Sequence, residues 1–423
     1  MSWRAMRVAP RLDTPLSVAV NSAHAQTNRT TALGREAISM KVVGLFAGIG
    51  GLELGLARAG HDCLMFSENW PLAARVLATH FPQTPNVGDV AALRALPGET
   101  ELVTAGFPCQ DLSQAGRTQG IGGRKSSLVS HVFRLLDETR APHALLENVS
   151  FMLSLDRGRA MARLVTAFEE RGYRWAYRVV NTLAFLPQRR ERVLFLASRL
   201  ADPADILLVD EATPRPRATS LATHAHGFYW TEGVRGLGWG ADCVPTLKNG
   251  STLGIASPPA ILLPGGGVVT PDIRDAERLQ GFPADWTAPA EALGRPGWRW
   301  SLVGNAVSAP VAEWVGGRLE APGRYDPSRD GAVLEEGARW PRAARYDGER
   351  RCGVEISAFP VWRERAPLHV FLQHQGKPLS ERASAGFLAR TMRAKLRFEP
   401  GFREAVAAHL EAMRAGPGLA AAQ

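Results

Sequence analysis

Cysteine is scarce, with four residues in a chain of 423, at Cys63, Cys109, Cys243 and Cys352, and none in a CxxC pair. Such spacing excludes a disulfide framework and offers no zinc motif, so no metal is expected and any functional cysteine acts alone in a reducing compartment. Long apolar runs are missing as well. The N-terminus has no apolar stretch followed by a cleavage signal, so neither a membrane helix nor a secretory leader is expected, and the cytoplasm is the expected location. Residues 1–40 lack helical or strand periodicity and mix Ser, Thr, Asn, Ala and Arg, as a disordered tail does. Two other readings of that segment are an Arg-rich transit peptide and a translation start at Met40. No internal repeat is found.

What is present suits a protein of two or three domains: 45% of residues are hydrophobic and 22% charged. A net charge of +9 favours polyanionic partners. The excess lies in residues 1–40 and 321–423, while residues 41–320 are nearly neutral. At Lys41 the pattern changes. Val42, Val43, Leu45 and Phe46 form a buried-strand run, glycines follow, and residues 52–59 read as a helix stopped by Gly60. Apolar runs at 63–66, 102–105, 144–146 and 193–197 alternate with helical stretches at 129–139 and 157–171. The prediction is an α/β domain with a doubly wound, mostly parallel sheet, over residues 41–200 closed by 300–320. Residues 201–299 are rich in Pro, Gly and Thr and read as a smaller, loop-rich domain. Residues 321–423 carry enough apolar side chains to pack, with amphipathic helices expected at 381–396 and 402–413, covering each other and the back of the main sheet. Arg382, Arg390, Arg393, Lys395 and Arg397 crowd one of these helices, where phosphates could be met.

Chemistry-bearing residues fall at the ends of the expected strands, where open α/β sheets hold their sites. Phe46-Ala47-Gly48-Ile49-Gly50-Gly51 turns sharply after the first strand. Glu68 closes the second strand and suits ribose hydroxyls; Gly88-Asp89 offers a second carboxylate for an exocyclic amine. A glycine turn with two exposed acids is the plainer alternative. Gly106-Phe107-Pro108-Cys109-Gln110 places a thiol just past a strand, stiffened by Pro108 and followed by a polar, glycine-rich run at 111–123 that reads as a lid. A lone cysteine is otherwise a small buried hydrophobe. Glu147-Asn148-Val149 brings a carboxylate to the same edge, and Gln188-Arg189-Arg190-Glu191-Arg192 adds guanidinium groups, unless that run is only a charged surface.

Together with Arg278-Leu279-Gln280-Gly281-Phe282-Pro283 and Gly304-Asn305-Ala306-Val307, these segments resemble, in order from Lys41 to Glu320, the motifs of the DNA cytosine-5 methyltransferases. The resemblance implies a Rossmann-like domain using S-adenosylmethionine, released as S-adenosylhomocysteine. It implies that the Cys109 thiolate adds to cytosine C6, that Glu147 contacts the N3 and amino edge, and that Arg192 holds O2 with Arg190 nearby. Phe46 would pack on the cofactor adenine, the backbone of Ala47, Gly48, Ile49 and Gly51 would face its methionine part, Glu68 the ribose and Asp89 the adenine amine. Gly106, Pro108, Leu128, Asn305 and Val307 would complete that pocket. The target base must leave the stack, with 111–123 closing over it. Two departures stand out: Ala115 occupies the place of a gap-filling serine in some relatives, and Asn69 separates Glu68 from the aromatic Trp70. Residues 201–299, where Thr246-Leu247 resembles a pair in the family's recognition region, would read the sequence.

The partners implied are double-stranded DNA, no membrane, and a cognate restriction endonuclease or other defence proteins encoded nearby. Rival expectations are an RNA cytosine-5 methyltransferase, a catalytically inactive DNA-binding relative, and a nicotinamide-dependent Rossmann enzyme, the last of which leaves the thiol, acid and arginine cluster unexplained. Deleting residues 1–39 should leave melting temperature and methyl transfer nearly unchanged, because that segment has no apolar face with which to dock. A melting temperature lowered by several degrees would show that it packs.

Overall fold

In a computed structural model of the protein, the residues described are 39–107, 128–215, 218–250, 256–295 and 297–415. The expected tail up to residue 38, the Pro108-Cys109-Gln110 turn, the 111–123 lid and Ala115 lie outside them. Strand β1 (Lys41–Leu45) buries all but its first residue, as a parallel strand covered on both faces must. It pairs in parallel with β2 (Asp62–Ser67) on one side and β3 (Leu102–Ala105) on the other, and β3 pairs in parallel with β4 (His143–Val149). Beyond β4 the sheet turns mixed. Strand β5 (Arg174–Asn181) is followed by β6 (Gln188–Arg189), which stands outside this sheet, and then by β7 (Glu191–Ser198), which lies antiparallel between β4 and β5.

Helices cover both faces. Helix α1 (Gly51–Arg58) follows β1, α2 (Pro71–His80) follows β2, and α3 (Leu128–Thr139) and α4 (Arg159–Glu169) flank β4. The periodic apolar positions of α3 and α4 bury Val132, Leu135, Leu136, Met161, Leu164 and Phe168 against one side of the sheet. The chain returns to the main sheet late. After α5 (Ile273–Leu279) and α6 (Trp298–Asn305), α7 (Ala309–Glu320) packs on α1. Gly55 allows that approach, since a Cβ there would stand 2.4 Å from the Ala309 carbonyl oxygen.

A second sheet holds β8 (His226–Phe228), β9 (Trp239–Ala241), β11 (Ala260–Leu262), β12 (Val268–Thr270) and β16 (Lys377–Pro378) in the order β16-β12-β11-β8-β9. The short strand β10 (Val244–Pro245) pairs with β6 and stitches this region to the main domain.

The C-terminal residues divide between the two sheets. Strands β13 (Asp330–Val333), β14 (Ala343–Tyr346) and β15 (Arg351–Val354) extend the main sheet to nine strands, ordered β13-β15-β14-β5-β7-β4-β3-β1-β2. From the pairings, β1 to β5 and β15 run one way and β7, β13 and β14 the other. The helices α8 (Glu381–Thr391) and α9 (Phe402–Ala415) pack on each other, but their shared face covers the second sheet rather than the back of the main one. The reason lies in the short strands, whose apolar face offers Phe228, Ala260, Leu262 and Val268 to Phe387, Phe402 and Val406. Phe228 meets Phe387 with ring centres 4.4 Å apart. Polar contacts reinforce the join: His226 Nε2 stands 2.7 Å from Glu399 Oε2, and the Val268 N–H donates to His409 Nδ1. No described helix is long and apolar enough to cross a membrane.

One buried acid sits at the heart of the main domain. Glu53 on α1 is 1% exposed and accepts the Thr104 hydroxyl at 2.7 Å; its second oxygen has no hydrogen bond among the described residues. Gly44 makes the space, because a Cβ there would lie 2.5 Å from Glu53 Oε1. Burial pushes this carboxyl up to about 7, against the pull of the Thr104 hydrogen bond. The unfolded chain ionises Glu53 near its ordinary 4.5, so between that value and about 7 the folded state holds the extra proton. Rising pH therefore removes stability across this window, by about 3 kcal/mol in all. Glu53→Gln, which cannot ionise, should gain on the parent by about that amount between about pH 4.5 and 7.5 in urea unfolding. A difference that stays constant with pH would refute this account.

Candidate active site

The carboxyl ends of β1, β2, β3 and β4 open on one cavity of about 690 Å³, closed from the far side by α6 and by Asn249 of the smaller region. Phe46, at its lip, takes a left-handed backbone with φ 53°, a conformation costly for a residue with a Cβ. Gly48 and Gly50 follow at φ 57° and 81°, and the turn closes with the Gly50 N–H donating to the Ala47 carbonyl. Of the expected cofactor residues, Phe46, Gly48, Ile49, Glu68, Asp89, Gly106, Leu128 and Asn305 line the cavity. Ala47, Gly51 and Val307 do not. Gly51 and Val307 pack on each other instead: a Cβ on Gly51 would come within 2.4 Å of the Val307 carbonyl oxygen. Pro108 and Cys109 lie outside the described residues.

Glu68 braces the glycine turn. Its Oε2 accepts the Gly48 N–H at 2.8 Å and its Oε1 the Trp70 N–H at 2.6 Å. Asn86, which the sequence reading missed, holds the Glu68 backbone by exchanging two hydrogen bonds of 3.0 Å with it. No local pattern marks Asn86, because it acts through main-chain atoms. Asp89 caps the next turn, accepting the Ala91 N–H through Oδ1. Trp70 lines the cavity despite its displacement by Asn69.

Opposite these acids lies a buried ion pair. Arg192 Nε stands 3.0 Å from Glu147 Oε1, and the two side chains are 16% and 9% exposed. The N–H does not point along that line, so among the described residues Glu147 Oε1 is a buried oxygen without a directed hydrogen bond. Burial raises the Glu147 carboxyl above its usual range, and the charges of Arg192 and Arg190 only partly counter it. Asn148 aligns the neighbouring strand end, donating from Nδ2 to the Phe107 carbonyl at 2.9 Å, two residues before Cys109.

Arg190 also borders the cavity, but its guanidinium is occupied elsewhere. It is 1% exposed and donates to the carbonyls of Leu247 at 3.0 Å, Gly304 at 3.3 Å and Ala306 at 2.7 Å. These bonds tie the segments at Leu247 and at Gly304 to Ala306 to the start of β7. Gln188 and Gln280 belong to the same framework, joined Nε2 to Oε1 at 3.1 Å. Among the described residues no group of three or more His, Cys, Asp or Glu side chains is placed to hold a metal ion.

Residues 40–221 match the family model of the C-5 cytosine-specific DNA methylases. The chain is 46% identical over 368 residues to the Type II methyltransferase M2.BsuMI of Bacillus subtilis (strain 168), spanning 84% of this chain and 94% of that protein. It is 36% identical over 305 residues to the Type II methyltransferase M.NgoBI of Neisseria gonorrhoeae, spanning 64% of this chain and 90% of that one. Among solved structures, the S. pombe Dnmt2 methyltransferase aligns with 66% of this chain and 98% of its own at 16% identity and a TM-score of 0.47.

Glu68→Ala removes both the brace on the Gly48 turn and an acceptor facing the cavity. The dissociation constant for S-adenosylmethionine should rise by a factor corresponding to about 1–3 kcal/mol, read by calorimetry. An unchanged constant would move that ligand elsewhere.

Proposed function

Because the chain belongs to the C-5 cytosine-specific DNA methylase family and is a DNA cytosine-5 methyltransferase, we propose that this cavity holds S-adenosylmethionine beside a cytosine turned out of duplex DNA, with Cys109 as nucleophile. The observation that carries the reading is the buried Glu147–Arg192 pair, whose unsatisfied Oε1 lies on the strand tied through Asn148 to the run leading into Cys109.

The residues present fit the cofactor. Aromatic Phe46 and Trp70, the carboxylates of Glu68 and Asp89 and the Gly48 turn supply ring contacts, acceptors for ribose and amine, and close backbone approach within one cavity of suitable size. Bound there, S-adenosylmethionine supplies an electrophilic methyl group on a sulfonium centre. The protein's part is to make cytosine C5 able to attack it.

Addition of the Cys109 thiolate to C6 breaks the aromatic ring and shifts electron density onto C5, N3 and O2. Glu147, biased towards its protonated form by burial, gives a hydrogen bond or proton to N3, and Arg192 offers its guanidinium to O2. Arg190 stays bonded to backbone and fixes the start of β7, so that Arg192 cannot drift from Glu147. Once C5 carries the methyl group, loss of the C5 proton to water and departure of Cys109 restore the ring. Extrusion of the base is needed because neither C5 nor C6 is accessible in a stacked duplex. The second sheet with its C-terminal helices serves as the target-recognition region. In the cell the enzyme marks host DNA beside a cognate restriction endonuclease and so takes part in defence against phage. What supports this role is that the relatives are named Type II methyltransferases.

Cys109→Ala should abolish methyl transfer and covalent trapping on a 5-fluorocytosine duplex, seen as a shifted band on a denaturing gel, while S-adenosylmethionine binding persists. Substitutions of Cys63, Cys243 and Cys352 should each leave trapping intact. Turnover of Cys109→Ala within tenfold of the parent would sink the covalent mechanism.

A further inference from the structure

Outside the cavity, one lysine of the smaller region stands on an unusually stiff mount. Thr246 and Leu247 are fastened to the main domain: Thr246 Oγ1 donates to the Arg189 carbonyl at 2.9 Å, the Leu247 N–H donates to Gln188 Oε1 at 3.0 Å, and Arg190 Nη1 donates to the Leu247 carbonyl at 3.0 Å. The next residue, Lys248, presses its backbone on α6. A Cβ on Gly304 would meet its carbonyl carbon at 2.2 Å and the Asn249 nitrogen at 2.3 Å. Asn249 and Gly304 both line the cavity. The Cα of Lys248 is thus held at a set distance from the reacting base.

The side chain is held as well. Its Nζ lies 2.8 Å from Glu232 Oε1 and 4.0 Å from the centre of the Tyr229 ring, whose hydroxyl donates to the Thr246 carbonyl at 2.8 Å. The lysine and glutamate side chains remain 34% and 23% exposed. A partly exposed pair of this kind adds little to folding stability, so stability does not explain its rigid support.

We infer that Lys248 and Glu232 together read a G·C pair of the target site close to the flipped cytosine. In the major groove guanine presents the O6 and N7 acceptors and its partner cytosine the N4 donor, which complement an ammonium beside a carboxylate. An A·T pair would set the adenine N6 donor against the ammonium and the thymine O4 acceptor against the carboxylate, so the same two groups reject it; a T·A pair keeps the acceptor and donor order but puts the thymine methyl group where guanine offers N7, and so loses one of the two acceptors the ammonium meets. In the free protein each group satisfies the other. On DNA they exchange that partner for a base edge. The inference rests on the reading of the cavity as the site of a flipped cytosine.

The test is methylation of a duplex library randomised around a central cytosine, with the products sequenced, using the full chain and its Lys248→Gln and Glu232→Gln variants. The parent should favour G·C over A·T at one position, and each variant should lose about 10- to 100-fold of that preference there and nowhere else. Melting temperature and S-adenosylmethionine affinity should hold in both variants. Unchanged preferences at every position would overturn the inference. So would a uniform loss at all positions with a flatter salt dependence, the mark of a phosphate contact. A parent that binds S-adenosylmethionine yet methylates no duplex would instead bring down the cytosine reading, and the inference with it.

Discussion

Three stretches of chain that are distant in sequence meet on the guanidinium of Arg190. Burial holds its ionisation well below the usual range, the neighbouring charge of Arg192 works in the same direction, and Glu147 and Tyr229 only partly oppose them. Its four donated hydrogen bonds, to Leu247, twice to Gly304 and to Ala306, offset part of that cost, while Nε finds no partner among the described residues. The pairing of β4 with β7 brings Glu147 and Arg192 together, Arg190 fixes the strand start beside them, and the same side chain helps hold residues 246–248 against the main domain. The Glu147–Arg192 pair and the segment that carries Lys248 therefore share one anchor.

The polar framework around this anchor has a consistent logic. Gln188 donates to the Leu279 carbonyl and to Gln280 Oε1, while Gln280 donates to the Val303 carbonyl and accepts from Ser308. Each side chain replaces a backbone partner that a regular strand or helix would have supplied, at places where elements from different parts of the chain meet. A few kilocalories of unsatisfied carbonyls would otherwise remain buried at these junctions. Glu277 and Arg299 do the same nearby, with a buried contact of 2.9 Å that also collects Thr287.

Much of this was legible in the sequence. The strand and glycine turn after Lys41, the acids at Glu68 and Asp89 and the Glu147 carboxylate could be placed because strand ends announce themselves through apolar runs followed by glycine or charge. Other features could not. Arg190 and Arg192 are two residues apart and look equivalent as text; one is spent on carbonyls and the other faces Glu147, a distinction set entirely by tertiary neighbours. Ala47, Gly51 and Val307 belong to the same motifs but are not among the residues that line the cavity. Strands β13 to β15 were missed because each has four residues, too few for an alternation to stand out, and because their partner β5 lies far upstream. The helices α8 and α9 were readable from their periodicity, but the surface they cover was not, since amphipathicity names a need for a partner without naming the partner.

The stitching of the C-terminal helices onto the second sheet has a consequence for synthesis. His226 waits for Glu399, 173 residues downstream, and β12 gains its outer neighbour only when β16 arrives more than 100 residues later. Contacts of such long span are slow to form, and until they do Phe228 and Val268 offer an open apolar face to whatever is near. The first strands of the main sheet, by contrast, pair with neighbours already emerged. A nascent chain therefore forms the strand ends on one side of the cavity first, receives Asn249 and α6 on the far side later, and covers its second sheet last.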